Sequence, residues 1–371
     1  MNYLSIIRKG LQRHHTFYYC LFFLPQVVCV SIGLGSGDFI YRIVFCVGMI
    51  GLVLSFLCCD YSKKEFAVML CLAGLVVIAF LKNHNRSLLL ACLAVFASKN
   101  LDYDHILNFV WIIMVVCIPL VIVLSVIGII PNVSTSLPKG GETYIIYNYG
   151  FPTANNLYFH LWIAVALTFM RYEKKMNVMA VAGITGAMFG AKLFLHSRTG
   201  LVCYLLFLVM FYLMKSRKFE ERMNKLYPML PVVCGSINLL LTWLCGFGYR
   251  IGTGVDKLMT GRLSWSYRSV CDYGISFTGS RGAGQLDSLY MTMLMNYGAI
   301  LFVVLLYVYT KTMRCMIHEG KRAAAIAMGV LCVYSIMEVN AINPIWNPFL
   351  LYIGCYVFRR EEQPLCKTII T

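Results

Sequence analysis

The sequence predicts an all-α integral membrane protein that crosses the bilayer about twelve times. Of its 371 residues, 60% are hydrophobic and only 13% are charged, which is about half the charged fraction of soluble domains. The apolar residues fall in runs of about 17–25, the length that an α-helix needs to cross the hydrocarbon core. Twelve such spans leave only about ten residues for each connection or tail. These proportions exclude a disordered chain and a soluble enzyme, and they indicate a single membrane domain over residues 1–371.

The apolar runs place the spans in order along the chain. The first run follows Arg8, Lys9 and Arg13. It is too long for a secretory signal and ends without a small-x-small cleavage site, so we expect a retained helix. The predicted spans are about 17–34, 38–58, 66–82, 86–98, 106–130, 154–171, 177–195, 199–215, 228–249, 286–310, 323–339 and 345–358.

Basic residues in the short connections predict the orientation. With a cytoplasmic N-terminus and twelve spans, both termini are cytoplasmic and the inner segments hold 21 of the 32 Lys and Arg residues. Topology therefore explains most of the formal net charge of +16, and no nucleic-acid partner is inferred. Most of the sixteen cysteines lie singly within apolar spans, where Cys acts as a small hydrophobic residue.

Two predicted outer connections are long, at residues 131–153 and 250–285. The first is rich in Gly, Pro, Ser, Thr and Tyr, which is typical of a surface loop with turns. The second has an excess of basic residues on the face where they should be scarce. Its charged residues are Arg250, Lys257, Arg262, Arg268 and Arg281 against Asp256 and Asp272. Topology does not require this excess, whereas an anionic ligand would.

Arg198 lies at the predicted outer edge of the membrane, just before the eighth span. One interpretation is that its side chain extends to the lipid headgroups, and the other is that it faces a polar cavity and binds an anion. Lys192 and His196 are four residues apart and would share one helix face, which would make that face polar at depth. Both interpretations of Arg198 stay open.

The segment from Thr260 to Arg268 predicts a short helix at the membrane interface. Arg262 and Ser266 would share one of its faces, and Trp265 would lie at the level of the headgroups. Arg268 has a structural alternative, because Asp272 lies four residues further on and would pair with it. Arg281 lies in a flexible turn.

Two carboxylates stand out near the predicted outer face. Asp287 is a lone acid at the start of the tenth span, where it is either a helix cap or a catalytic base. Glu338, together with Asn340, Asn343 and Asn347, forms a polar cluster at the ends of the last two spans. Such a carboxylate indicates either a functional site or hydrogen-bonded contacts between helices.

Six segments, taken together, resemble the motifs of one family. They are Ala97–Asp102, Tyr149–Asn156, Leu195–Leu201, Thr260–Trp265, Leu286–Tyr290 and Asn296–Gly298. Their order and spacing, over roughly residues 90–350, are similar to those of Wzy-type polysaccharide polymerases in the O-antigen ligase and polymerase superfamily. Ser288 departs from the usual Asn of the family, and Asp287 stands where the ligase branch has His, which favours the polymerase branch.

The resemblance implies a glycosyltransferase of GT-C-like architecture in the bacterial cytoplasmic (inner) membrane. Such an enzyme joins undecaprenyl-diphosphate-linked oligosaccharide repeat units on the outer face, without a metal or other cofactor, to make a capsule, exopolysaccharide or O-antigen. The implied partners are the lipid-linked donor and acceptor, the bilayer, a chain-length regulator and a flippase.

The charged residues fit that reaction as follows. Charge develops on the departing lipid diphosphate, and arginine can bind its oxygens bidentately. We expect Arg198 and Arg262 to form this clamp, with support from Arg268 and Arg281. The base that accepts the proton of the attacking hydroxyl should be Asp287, with His196 and Glu338 as the next choices. The expected ligands of sugar hydroxyls are Tyr149, Asn155, Asn156 and Tyr290.

Two other functions remain open at this stage. An O-antigen ligase shares nearly all the motifs and transfers a finished glycan. A lipid-linked oligosaccharide flippase or other transporter would place charges within its spans and show an internal repeat. The sequence shows no repeat, and its unusual charges gather in one outer connection.

Overall fold

The computed structural model describes residues 14–139, 142–284 and 286–358, and over these residues the chain is mostly helical. The all-α membrane class is therefore confirmed in outline. Within the described residues, six helical stretches are long and apolar enough to cross a membrane: Phe39–Cys58, Lys63–Asn83, Tyr103–Val126, Val178–Leu195, Lys218–Gly246 and Ala299–His318. The other predicted spans contain helices that are shorter or less apolar. The terminal charges at Arg8, Lys9, Arg13, Arg359 and Arg360 lie outside the described residues.

The helices are α1 (His15–Ser31), α2 (Phe39–Cys58), α3 (Lys63–Asn83), α4 (Ser87–Ala97), α5 (Tyr103–Val126), α6 (Ala154–Tyr172), α7 (Val178–Leu195), α8 (Arg198–Leu213), α9 (Arg217–Leu226), α10 (Leu230–Gly246), α11 (Arg250–Leu258), α12 (Arg262–Tyr273), α13 (Leu289–Thr292), α14 (Ala299–His318), α15 (Arg322–Tyr334) and α16 (Leu350–Val357). Several begin at side-chain caps. Ser62 and Glu65 form a capping box at the start of α3, and Asp102 and Thr153 cap α5 and α6.

Most buried apolar side chains belong to one continuous core. The helices that surround it expose large apolar side chains on their outer surfaces, for example Phe39 (76% exposed) and Met179 (84% exposed). Extensive exposed apolar surface marks contact with a membrane or a partner rather than with water. The exposed faces therefore agree with a multi-pass membrane protein.

Contacts between helix ends define two opposite faces of the bundle. The basic face contains the ion pairs Lys99–Glu65 (2.8 Å), Lys321–Asp104 (2.8 Å) and Arg322–Glu220 (2.7 Å). The other ends of α3, α6 and α15 meet at the face that we call the site face. There Lys82 donates a hydrogen bond to Thr278 (2.6 Å) and Asn340 donates one to Asn156 (3.4 Å).

The first long connection contains a β-hairpin, whereas the sequence had predicted an irregular surface loop. Strands β1 (Ser134–Lys139) and β2 (Glu142–Tyr147) pair antiparallel, with Ser134 opposite Tyr147 and Lys139 opposite Glu142. Strand β2 is rich in Thr, Tyr and Ile, the β-branched and aromatic types that favour strands. Residues 140 and 141 lie outside the described residues.

The tenth predicted span, residues 286–310, is divided in the structure. Helix α13 and a π-helical turn (Met293–Tyr297) are fully buried, and the backbone breaks at Gly298 before α14 begins. The N–H of Ala299 bonds to Ser276 O at the site face (3.0 Å), so the membrane-crossing part starts only there. Apolar periodicity cannot reveal such a break, because both halves are apolar.

The eleventh predicted span, residues 323–339, is also shorter than expected. Its helix, α15, ends at Tyr334, and residues 335–349 follow an irregular path that includes a short 3₁₀ turn (Asn340–Ile342). Most of these residues are buried or half-buried. Irregular backbone at membrane depth is tolerated where protein surrounds it or where it lines a polar cavity. Two non-helical stretches thus meet at the site face.

Replacing Gly298 with alanine should destabilise this break. Gly298 has φ 94° and ψ 165°, a region open almost only to glycine, and an added Cβ would overlap the backbone of Phe277. We expect a loss of at least about 2 kcal/mol, measured as a lower apparent melting temperature in detergent. Gly128→Ala is the control, because its φ is 83° but nothing lies within 4 Å of an added Cβ. Equal melting temperatures for wild type and Gly298→Ala would show that the break tolerates a side chain.

Candidate functional site

The position of Arg262 is fixed by the way α12 begins. Gly261 precedes the helix with φ 84°, and Arg262 is the first helical residue. The Asp256 carboxylate on α11 accepts hydrogen bonds from the backbone N–H groups of Leu263 (2.8 Å) and Ser264 (3.2 Å). Leu263 itself is buried in a small apolar cluster with Cys245 of α10. The helix start is therefore held from two sides.

Arg262 joins two carboxylates that are distant in the sequence. Its Nε lies 3.0 Å from Asp287 Oδ2, and its Nη1 lies 3.2 Å from Glu338 Oε1. Nη1 also donates a hydrogen bond to the backbone carbonyl of Met337. We call Arg262, Asp287 and Glu338 the charge cluster. The structure thus brings together one arginine and both carboxylates that the sequence had singled out separately.

The members of the charge cluster differ in burial. The exposed side-chain fraction is 13% for Glu338, 20% for Arg262 and 41% for Asp287. Glu338 is therefore the more enclosed of the two carboxyls, while Asp287 is partly open to solvent.

The guanidinium of Arg262 retains unused donors. Its described contacts employ Nε and Nη1, and Nη2 makes no hydrogen bond to a described residue. Arginine has five N–H donors in a planar fork. One edge of the guanidinium is therefore available to an anionic ligand while the other is held by protein.

Asp287 does not cap the helix that follows it. The N-cap of α13 is Ser288, whose hydroxyl oxygen accepts a hydrogen bond from the N–H of Met291 (3.4 Å). The same hydroxyl contacts Asn238 Oδ1 at 3.1 Å. The structure therefore does not support the interpretation of Asp287 as the cap of this helix. Ser288, where the family usually has Asn, fills that position.

Arg198 lies at the same end of the bundle but outside the charge cluster. It is the first residue of α8, its side chain is exposed, and it forms no ion pair within the described part of the chain. Helix α8 packs beside α15, and Cys203 on α8 lies close enough to Glu338 to interact with its charge. His196 is exposed at the end of α7 with φ 51°.

The other predicted ligand residues form no ion pair or hydrogen bond with the charge cluster in the described part of the chain. Arg268 and Arg281 are exposed, and neither forms an ion pair with a described residue, so the alternative pairing of Arg268 with Asp272 is not seen. Asn155 is exposed in the first turn of α6. Tyr149 is half-buried, and its backbone N–H donates a hydrogen bond to Asn132 Oδ1 (2.9 Å).

Tyr290 was expected to contact a sugar, but the structure places its side chain in the protein interior. Only 2% of its surface is exposed, and its hydroxyl donates a hydrogen bond to the Cys332 carbonyl (3.0 Å). The reason is the burial of α13, which turns inward before the break at Gly298. Tyr290 therefore packs in the core and is left out of the site proposed below.

Two contributors to the site were not recognised in the sequence. Asp256 had been counted only as a countercharge in the second long connection, although an acid shortly before a Thr-Gly turn is a usable signal for a helix cap. Nothing in the sequence indicated that the Met337 carbonyl would contact Arg262, because the position of this carbonyl depends on the irregular path of residues 335–349.

Exposed apolar side chains lie on the same connection as Arg262. On the second long connection, Leu258 and Phe277 are each 75% exposed, Ile251 is 69% exposed and Trp265 is 50% exposed. Tryptophan favours the membrane–water interface, and exposed aliphatic side chains favour the acyl chains beside it. The cluster therefore lies beside surface suited to contact with lipid.

Comparison with family models, curated proteins and solved structures gave no match. The resemblance to polysaccharide polymerases therefore remains an interpretation of the motifs. Among residues 14–139, 142–284 and 286–358, no three His, Cys, Asp or Glu side chains are grouped as a metal site requires.

Proposed function

We propose that the protein is a glycosyltransferase of the polysaccharide polymerase type, acting on undecaprenyl-diphosphate-linked oligosaccharides. The observation that supports it best is the charge cluster: an arginine with free donors, set between two carboxylates and bordered by lipid-facing side chains. A lipid-linked anionic substrate needs a cation at the edge of the membrane. A hydroxyl nucleophile needs a carboxylate close to that cation.

In the proposed step, a sugar hydroxyl of one lipid-linked unit attacks the anomeric carbon of the other. The new C–O bond forms as the bond to the diphosphate oxygen breaks, and the lipid diphosphate leaves with the electron pair. Asp287 takes the hydroxyl proton. Arg262 and Arg198 donate hydrogen bonds to the diphosphate, where negative charge increases in the transition state.

The resting contacts suggest how the cluster changes when substrate binds. With both carboxyls ionised, the cluster carries one excess negative charge, which opposes an incoming diphosphate. Diphosphate then competes with Asp287 for Arg262, and the released Asp287 is free to act as the base.

The proposed membrane arrangement follows from the two faces. We place the site face outside a bacterial cytoplasmic membrane and the basic face in the cytoplasm, with twelve crossings and both termini cytoplasmic. The ion pairs of the basic face fit the rule that short cytoplasmic connections carry the excess of Lys and Arg. A reporter fused within residues 250–285 tests this arrangement. We expect it outside the cytoplasm, and a cytoplasmic location would contradict the proposed orientation.

The direct test uses the purified protein and a synthetic undecaprenyl-diphosphate-linked repeat unit in the presence of EDTA. We expect a ladder of products that differ by one repeat unit. A single transfer to a preformed acceptor glycan, without a ladder, would instead indicate a ligase. Movement of the repeat unit across vesicle membranes without bond formation would indicate a flippase.

The variant Arg198→Ala should slow the ladder about 100-fold, the usual cost of losing one donor to a developing anion. Because Arg198 is exposed and forms no ion pair with the described residues, we expect no change in the melting temperature. Arg250→Ala is the matched control, since Arg250 is also an exposed first residue of a helix at the site face. A normal ladder from Arg198→Ala would assign Arg198 to lipid headgroups instead.

A further inference from the structure

A polar cavity lies at the basic face, at the opposite end of the bundle from the charge cluster. It has a volume of about 730 Å³ and lies between the ends of α5, α6 and α15. Its lining includes Asp104, Trp111, Arg171, Lys174, Lys175 and Lys321. The volume is in the range of small-molecule sites. The reaction proposed above does not use this cavity.

The cavity has more cations than its acids neutralise. Among the described lining residues, four are basic and two, Asp104 and Glu173, are acidic. Lys321 is held by Asp104 at 2.8 Å and by the Tyr103 hydroxyl at 2.5 Å. Glu173 interacts electrostatically with Lys174 and with Arg322 outside the lining. Arg171 and Lys175 form no ion pair in the described part of the chain, so the cavity retains net positive charge.

Arg171 is also held in a fixed orientation. Its guanidinium lies 4.6 Å from the ring centre of Trp111, and its Nη1 donates a hydrogen bond to Asn108 Oδ1 (2.5 Å). Trp111 in turn donates from its ring N–H to Thr168 (2.9 Å). Membrane topology requires only positive charge, whereas stacking and a fixed hydrogen bond orient the remaining donors. This difference separates Arg171 from an ordinary basic residue of a cytoplasmic connection.

We propose that this cavity binds a phosphate group, supplied by the headgroup of an anionic phospholipid in the adjacent leaflet. A guanidinium and neighbouring ammonium groups match phosphate oxygens in charge and geometry. Leu107, Leu167 and Met170 add apolar lining next to the charges, which suits the start of an acyl chain. Basic pockets between membrane helices are a known type of headgroup site. The site is independent of the proposed transfer reaction.

The test measures lipid bound to the purified full-length protein in a neutral detergent. Phosphatidylglycerol and phosphatidylcholine are titrated separately, and native mass spectrometry counts the lipids retained. We expect retention of phosphatidylglycerol, and an affinity at least about tenfold lower for Arg171→Gln/Lys174→Gln/Lys175→Gln. The control Lys218→Gln/Arg222→Gln/Lys225→Gln removes the same charge from exposed positions on α9 at the same face, outside the cavity. It should change the affinity less than about twofold.

Two further arms identify the ligand and protect the test against misfolding. Displacement of the lipid by millimolar inorganic phosphate would show that the phosphate group alone suffices, and no displacement would show that the site needs the whole lipid. Arg171→Lys keeps the positive charge but loses the planar guanidinium and its stacking on Trp111. This variant should fold, and its affinity for phosphatidylglycerol should be several-fold lower than that of the wild type. Equal losses in the two triple variants, or wild-type binding by the cavity variant, would overturn the proposal.

Discussion

Replacing Arg262 with alanine should stop chain growth, so that only single repeat units accumulate. Arg262 is the one member of the charge cluster that can bind the departing diphosphate, and it also positions both carboxylates. Loss of one preorganised donor typically costs about 100- to 1,000-fold in rate. Initial rates of ladder formation in detergent measure the effect directly.

The same substitution should lower stability, and the two effects can be separated. Without Arg262, the largely buried Glu338 loses its ion-pair partner and faces Asp287 alone. The double variant Arg262→Ala/Glu338→Gln removes one of the two charges and should regain part of the lost melting temperature while remaining inactive. Arg262→Lys keeps one cation without the fork, so it should be stable and partly active.

Lys257→Ala is the control for Arg262, because Lys257 is an exposed cation on the neighbouring helix α11. It should make a normal ladder. If Arg262→Ala and Lys257→Ala gave the same ladder, the charge cluster would be a structural ion pair and no part of the chemistry.

The second large effect is expected for Asp287→Asn. Asparagine keeps the shape and an oxygen that can accept from Arg262 Nε, but it cannot take a proton from the attacking hydroxyl. Loss of a general base typically costs about 100- to 10,000-fold. We expect slow chain growth, with normal binding of the lipid-linked substrate and a normal melting temperature.

Asp272→Asn is the matched control for Asp287→Asn, since Asp272 is an exposed acid on α12 in the same connection. Normal chain growth in Asp287→Asn together with arrest in Glu338→Gln would move the base to Glu338. Arrest in both variants, with binding intact, would indicate that the two carboxyls act as a unit.

The sequence predicted where helices form better than where they end. Runs of apolar residues located the long apolar helices of the bundle, because chain length and hydropathy decide membrane crossing almost alone. They gave no sign of the polar helices α9 and α11. The breaks at Gly298 and after Tyr334 depend on contacts with residues remote in the sequence, such as Ser276 and Phe277. A local apolar pattern contains no information on such contacts, and Tyr290 was misplaced for this reason.

The candidate site was predictable as a set of residues and not as an arrangement. Arg262, Asp287 and Glu338 were each singled out because a charge near a membrane span is unusual. Their meeting depends on Asp256 holding α12 and on the irregular backbone that carries Glu338. From the sequence, Asp287 was either a helix cap or a catalytic base. The structure excludes the cap, because Ser288 caps α13.

The charge cluster also has a mechanical consequence. One side chain fastens three stretches of backbone to each other: the start of α12, the stretch before α13 and the irregular residues after α15. A substrate that draws the guanidinium toward itself would loosen all three attachments in a single event. Ligand binding at Arg262 would then change the positions of all three stretches together.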